Sequence, residues 1–141
     1  MQKKRILVGM LTAVIIIVLL YTATYIPKKM ITIEPAEVSK IEVFDGNSGT
    51  LINLTEKDQI EHIISNLNET TFKKKGLSIG YMGYNYRLTI YDADEEEYKE
   101  LIINSSDTIR YNGFFYESEN NSVDDGYIDE LFSAEKEKAP N

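Results

Sequence analysis

Among the residue types that most often act as acids, bases or metal ligands, this 141-residue sequence has one histidine, 23 acidic residues and no cysteine. The absence of cysteine excludes thiol catalysis and zinc sites with cysteine ligands. His62 lies about 150° from the centre of the apolar stripe on the helix predicted for this region, at ~100° per residue. We therefore expect His62 to be exposed, where a lone histidine is a poor general base and cannot build a zinc site.

The sequence predicts no catalytic residue, no metal and no cofactor. A serine nucleophile needs an adjacent base, and the one histidine faces away from the predicted core. The glycines at Gly76, Gly80 and Gly83 do not match a phosphate-binding loop. A pair of carboxylates stays open as a catalytic route, because the separation of two acids cannot be read from their spacing.

The acidic segment from Asp92 to Glu97 begins with the D-x-D pattern of many calcium-binding loops with oxygen ligands. Its sixth position is Glu97 instead of the turn glycine, and its twelfth is Ile103 instead of glutamate. The pattern therefore favours a solvated hairpin turn.

Two segments are candidate binding surfaces. The first is the glycine-containing aromatic segment 81–86, in which Tyr81, Tyr84 and Tyr86 are the candidate contact residues. Exposed tyrosines on a loop are typical contact residues of interfaces. The alternative is that these rings cover the edge of a sheet.

The second candidate surface is a basic run of Lys73, Lys74 and Lys75. Such a run could face membrane phosphates or cell-wall anions. The alternative is that the lysines protect an edge strand or lie in a solvated turn.

The charge of the chain is unevenly distributed. All 23 acidic residues follow Pro27, whereas 10 of the 15 lysines and arginines lie in residues 31–141, so this part carries 10 − 23 = −13. A field of this sign repels nucleic acid and favours a basic protein partner. The alternative is that the charge serves solubility alone.

An uncharged run from Ile6 to Ile26 predicts a transmembrane signal anchor, since its 21 residues span about 31 Å as a helix. A cleaved signal peptide has a shorter apolar region and a better cleavage site. We expect residues 1–5 to be a cytoplasmic flank and residues 27–30 a juxtamembrane linker. The basic flank at the N-terminus predicts a single-pass protein of the cell membrane with an extracellular C-terminal domain.

The rest of the chain predicts an α+β domain over residues 31–133. We expect an antiparallel β-meander, one central helix from Thr55 to about Asn68 with Thr55 as its N-cap, and a short C-terminal helix. Asn112-Gly113 predicts a type I′ hairpin within residues 108–117. We expect residues 31–141 to fold without the anchor and residues 134–141 to form a charged, flexible tail.

This layout resembles the short membrane-anchored proteins of low-GC Gram-positive bacteria. The residues that carry the resemblance are Met1-Gln2-Lys3-Lys4-Arg5, the helix 55–68, Tyr86-Arg87-Leu88-Thr89-Ile90-Tyr91 and Tyr111-Asn112-Gly113-Phe114-Phe115-Tyr116. The resemblance implies location and fold only, and no functional residue carries over.

The preferred functional hypothesis is a non-enzymatic protein-binding module that senses, scaffolds or neutralises a basic partner. The alternative is a cell-envelope glycan or ligand binder, or a weak carboxylate-based hydrolase, that uses the segment 81–86. A glycan platform requires coplanar exposed aromatic rings beside a cleft, whereas a protein binder requires an apolar patch with a charged rim.

Overall fold

The computed structural model describes residues 1–138 and has the predicted α+β architecture. Its helices are α1 (Gln2–Ala23), α2 (Lys57–Glu69) and α3 (Asp125–Lys138), with one 3₁₀ turn at Pro35–Glu37. Its strands are β1 (Lys28–Lys29), β2 (Val38–Asp45), β3 (Leu51–Leu54), β4 (Thr71–Leu77), β5 (Tyr86–Asp92), β6 (Glu97–Ser105), β7 (Thr108–Tyr111) and β8 (Phe114–Ser118).

The N-terminal helix α1 is long and apolar enough to cross a membrane. Its 22 residues span about 33 Å, and none of them is buried in the protein. The helix ends at Ala23, three residues before the predicted limit at Ile26. Thr24 contributes to this end of the helix, because its Oγ1 donates a hydrogen bond to the carbonyl of Tyr21 at 2.7 Å. In a continuing helix, that carbonyl would accept the backbone amide four residues later.

The predicted linker of residues 27–30 belongs to the sheet instead. Lys28 and Lys29 form β1, which pairs antiparallel with Phe72 and Thr71 of β4. Met30 is only 3% exposed. The domain therefore begins at Lys28, because this segment has both a strand partner and a core side chain.

Residues 31–34 alternate apolar with polar side chains, which predicts a strand, but they form none, although Ile31 and Ile33 are buried. Side chains, and not a neighbouring strand, donate hydrogen bonds to the backbone carbonyls of this segment. Asn68 Nδ2 donates to the carbonyl of Ile33 at 2.9 Å, and Lys99 Nζ donates to the carbonyl of Met30. The alternation of apolar residues indicates which side chains are buried, but it does not show whether the backbone pairs with another strand. Residues 31–34 are therefore buried without forming a strand.

All eight strands are antiparallel and lie in the order β1-β4-β8-β7-β6-β5-β2-β3. The four strands from β5 to β8 form the predicted meander. The helix α2 connects β3 at one edge to β4 near the other, so it must cross the face of the sheet. It thereby covers the core, as the central helix of the prediction.

The apolar stripe of α2 is buried as predicted. Its buried residues are Ile60, Ile63, Ile64 and Leu67. The N-cap is Glu56 and not Thr55, and no side chain caps this end. Because the helix begins one residue later than expected, Asp58 lies at its second position, where a carboxylate still interacts favourably with the helix dipole.

The β7–β8 hairpin has the predicted register, with Ile109 opposite Tyr116 and Tyr111 opposite Phe114. Asn112 and Gly113 have φ angles of 47° and 78°, as a type I′ turn requires. Tyr116 and Ile109 are buried, whereas Tyr111 and Phe114 are half-buried and pack against the core. The two rings next to the turn are therefore peripheral to the core.

The C-terminal helix α3 packs on the same face as α2 through Ile128 and Phe132, which are 1% and 4% exposed. It continues to Lys138, so the predicted tail of residues 134–141 begins inside a helix. The remainder of that tail, residues 139–141, lies outside the described residues.

Candidate functional site

The candidate binding residues do not form one surface. Tyr86 is not at the surface at all: it is 5% exposed, and as the first residue of β5 it points to the core face of the sheet. Its hydroxyl donates to Asp129 Oδ1, and its ring stacks on Phe132 with a centroid distance of 5.6 Å. Burial and the bond to Asp129 raise the pKa of the Tyr86 phenol above its ordinary value. The prediction of Tyr86 as a contact residue is therefore wrong.

Tyr81 and Tyr84 lie around a buried cation, Arg110, on the sheet face away from the helices. The Arg110 carbon Cζ is 5.3 Å from the Tyr81 ring centroid and 5.7 Å from that of Tyr84. Tyr81 also meets Phe115 edge-on, at 5.2 Å and 81°. The rings around Arg110 are thus not a coplanar platform of the kind that a glycan site requires.

Arg110 holds the loop between β4 and β5 against the sheet. Its Nη1 donates to the carbonyl of Tyr81 at 2.6 Å and its Nη2 to that of Gly83 at 3.0 Å. Its Nε donates to Asn104 Oδ1 at 2.9 Å. Three neutral acceptors and the aromatic faces compensate the cost of burying this charge, since the side chain is 7% exposed.

The lysine run alternates across β4. Lys73 and Lys75 are exposed and pair with Glu119 at 3.6 Å and with Glu117, respectively. Their positive charge is therefore largely compensated, so this pair is a weak candidate for binding anions.

Lys74 points to the opposite face and is 8% exposed. Its Nζ lies 3.5 Å from the centroid of the Phe114 ring and 3.4 Å from Thr24 Oγ1. Lys74 thus contacts the last turn of α1 and is not available to an external anion. The prediction of Lys74 as a surface residue is wrong, because the alternation of a strand turns every second side chain inward.

Among residues 1–138, β3 is a free edge strand of the sheet with no strand on its outer side, which sequence reasoning did not single out. The amide of Asp45 donates to the carbonyl of Thr50 at 2.9 Å. Because bonded pairs alternate along an antiparallel ladder, the outward-pointing backbone groups of β3 belong to Leu51 and Asn53. The Leu51 side chain is 52% exposed beside them. The hairpin was predicted, but its position at the edge depends on the order of all eight strands.

A groove of about 420 Å³ lies beside β3. It is lined by Thr50, Leu51, Ile52, Asn53, Leu54, Thr55, Glu56, Gln59, Leu131, Ala134 and Glu135. Its lining mixes polar side chains with apolar ones from β3 and α3, and its two charged lining residues are both acidic. This combination of an unpaired strand edge, some apolar side chains and negative charge is suited to an extended basic segment.

His62 is exposed as predicted, with 43% of its side chain accessible, and it links α2 to α3. Its Nε2 lies 2.9 Å from Asp124 Oδ2, and its ring stacks on Tyr127 at 3.8 Å. Asp124 Oδ1 accepts from the amide of Tyr127 at 3.1 Å, as an N-cap of α3 does. The bond to His62 and then that to Tyr127 lower the pKa of Asp124.

Asp125 follows this cap and has the opposite shift. Burial, together with the negative charge of Asp129, raises the pKa of its carboxyl group. A raised carboxyl pKa is one property of a general acid, and the absence of a catalytic site therefore stays a prediction. Among residues 1–138, no group of three histidine or acidic side chains is placed to hold a metal ion.

The acidic segment 92–96 forms the predicted hairpin turn. Asp92 Oδ1 accepts the amides of Asp94 and Glu96, both at 3.0 Å. Glu95 in this turn has a φ of 62°, in the left-handed region that favours glycine.

The serine at position 78 lies in a G-x-S-x-G pattern, Gly76-Leu77-Ser78-Ile79-Gly80, which the sequence analysis passed over. In a hydrolase this pattern forms a sharp turn from a strand to a helix, with a histidine as base. Here Ser78 follows β4, but no helix follows it before β5. The one histidine of the chain is bonded to Asp124.

A second pattern, S-x-x-K, occurs at Ser133 and Lys136. The Ser133 hydroxyl donates to the carbonyl of Asp129 at 3.0 Å on the exposed surface of α3. Neither pattern therefore has the arrangement that activates serine.

Comparison of the chain with protein-family models, curated proteins and solved structures finds no match. The fold and the surfaces together define only a class: an α+β domain with a free sheet edge, carried behind an apolar N-terminal helix that is able to span a membrane.

Proposed function

We propose that this protein is a membrane-anchored, non-enzymatic binding module whose outer domain captures a basic protein segment by strand addition along β3. The anchor is α1, with the N-terminus in the cytoplasm and the domain outside the cell. The observation that carries the proposal is the free edge at Leu51 and Asn53 beside the acidic groove. An added strand gains main-chain hydrogen bonds from such an edge and side-chain contacts from the adjacent groove.

The charge distribution supports a basic partner. Glu56 and Glu135 both line the groove, and residues 31–141 carry a net charge of −13 (10 − 23). Such a field increases the association rate of positive partners and repels nucleic acid. The opposite edge of the sheet is β1, which has two residues, both lysines, and continues into α1. It offers little backbone for a further strand.

The proposal is tested with the full chain in lipid nanodiscs and a phage-displayed library of random twelve-residue peptides. Selected peptides are expected to alternate apolar with basic residues. Their affinity should fall as salt increases, because the Debye length shrinks to about 3 Å at 1 M salt.

A proline at position 53 provides the decisive variant, since the Asn53 amide points away from β2 and proline is tolerated at such edges. Asn53→Pro should abolish peptide binding, whereas Asn53→Ala, which keeps the amide, should bind normally. Circular dichroism of both variants monitors the fold. Peptides that bind equally well to the two variants would contradict strand addition.

A further inference from the structure

An apolar segment is exposed from the last residue of β4 onward. Leu77 is 67% exposed and Ile79 is 81% exposed, and Met82 follows at 87%. Residues 77–82 contain no charged side chain. Exposed apolar side chains that are contiguous in this way mark a site of contact, because solvation by water is unfavourable for each of them.

The fold holds Leu77 and Ile79 on the side of the domain from which α1 departs. The Lys74 side chain contacts the last turn of α1 at Thr24 and lies 5.4 Å from the Tyr25 ring. Because β1 and β4 are antiparallel, the chain traced backward from Lys28 into α1 runs in the same direction as β4. Leu77 lies three residues beyond Lys74 in that direction, roughly 10 Å along the strand.

The exposed side chains are held in place by the backbone around them. The amide of Ser78 donates to the carbonyl of Gly113 at 2.9 Å. A Cβ atom at Gly113 would lie 3.6 Å from the Ile79 side chain, so the hairpin turn supports this residue from behind. Arg110 binds the following carbonyls at Tyr81 and Gly83. The loop therefore presents Leu77 and Ile79 outward.

We infer that Leu77 and Ile79 insert into the outer surface of the bilayer that α1 spans, and so fix the orientation of the domain on the membrane. The inference rests on the anchor of the proposed function. Tyr21 and Tyr25 lie near the end of the apolar run, where aromatic rings prefer the membrane interface. Lys74 reaches the level of these rings, and Leu77 and Ile79 extend from there toward the hydrocarbon.

The contact is made with acyl chains and not with anionic headgroups. The loop is uncharged, and the neighbouring Lys73 and Lys75 are paired with Glu119 and Glu117. A bilayer of neutral lipid is therefore sufficient for insertion, with apolar burial as the driving force.

Single-tryptophan fluorescence tests this inference, since the chain has no tryptophan of its own. The full chain is reconstituted in phosphatidylcholine vesicles that contain lipids brominated at known depths. Tryptophan is placed in the loop by Ile79→Trp or Leu77→Trp, in the anchor by Val14→Trp, and in the exposed β2–β3 turn by Asn47→Trp. Two loop positions are used so that one unfavourable substitution does not decide the result.

Emission from Ile79→Trp and Leu77→Trp should shift to the blue and be quenched by shallow bromines, while Asn47→Trp stays unquenched. Quenching of Val14→Trp without quenching of either loop variant would overturn the inference and leave the anchor intact. Loop quenching that requires anionic lipid would overturn insertion driven by apolar burial. No quenching at any position would overturn the anchor and the inference together.

Discussion

Arg110 carries a full positive charge at a position where only 7% of its surface is exposed, and none of its three hydrogen-bond partners is a carboxylate. Its planar fork matches the two carbonyls at Tyr81 and Gly83 simultaneously, which the single ammonium of lysine cannot do. The residue therefore determines where the loop after β4 lies, although it belongs to a different part of the chain.

We predict that Arg110→Lys releases this loop. The substitution keeps the charge but loses most of the three bonds, so the free energy of unfolding should fall by about 2 kcal/mol. Amide hydrogen exchange of residues 78–84 should accelerate more than that of the rest of the domain. Arg87→Lys is the matched control, because the Arg87 side chain is 42% exposed and 4.0 Å from Glu100. An unchanged exchange rate in Arg110→Lys would show that the loop is held by other contacts.

For single residues, the sequence predicted the face of the sheet to which a side chain points better than the residues that surround it. Alternation along the hairpin placed Arg110 opposite Phe115, away from Ile109, and the register is confirmed. The burial of Arg110 could not be predicted, because the covering residues Tyr81 and Gly83 are 29 and 27 positions away. Tyr86 was misassigned for the converse reason: its phenol is buried by Asp129 and Phe132 from a distant helix.

One carboxylate, Asp124, links α2 to α3, because it caps α3 and binds His62 of α2. Its pKa is lower in the folded protein than in the unfolded chain. A carboxyl group shifted in this direction contributes stability that is fully present above the unfolded pKa, about 3.9. That contribution is lost as the pH falls through the folded pKa.

We predict that Asp124→Asn is less stable than the wild type near neutral pH and that the difference shrinks below about pH 4. The amide keeps an oxygen that can cap the helix but lacks the negative charge of the carboxylate. Asp124→Ala removes the cap as well and should cost about a further 1 kcal/mol. Urea denaturation of the full chain in detergent at several pH values measures these differences. A stability difference that does not change with pH would show that the carboxylate charge does not act here.

The helices and strands were predicted correctly where the sequence pattern is local and the partners are close in the chain. The spacing of Ile60, Ile63 and Leu67 predicted α2, and Asn112-Gly113 predicted the turn of the β7–β8 hairpin. The two-residue strand β1 could not be found in this way, because it forms only where β4 returns from the far side of the sheet. The edge position of β3 could not be predicted for the same reason, because which strand lies at an edge depends on the order of all strands in the sheet.

The whole molecule consists of a domain with its own core and a helix that contributes nothing to it. No residue of α1 is buried, and its contacts with the domain centre on Lys74. The last segment before the domain is different. Lys28 and Lys29 pair with β4, and Met30 is 3% exposed. The structural boundary between α1 and the domain therefore lies near Pro27.

We predict that residues 27–141 fold without α1 and are more stable than residues 31–141. The shorter fragment loses the β1 ladder and the Met30 side chain, and the latter alone is worth about 2–5 kcal/mol when deleted from a core. Urea denaturation followed by circular dichroism should give a lower midpoint for the shorter fragment. The double variant Lys28→Ala, Lys29→Ala in the longer fragment is the control, since it keeps the backbone pairing and should unfold close to the parent midpoint. Equal midpoints for the two fragments would place the start of the domain at Ile31, as the sequence alone predicted.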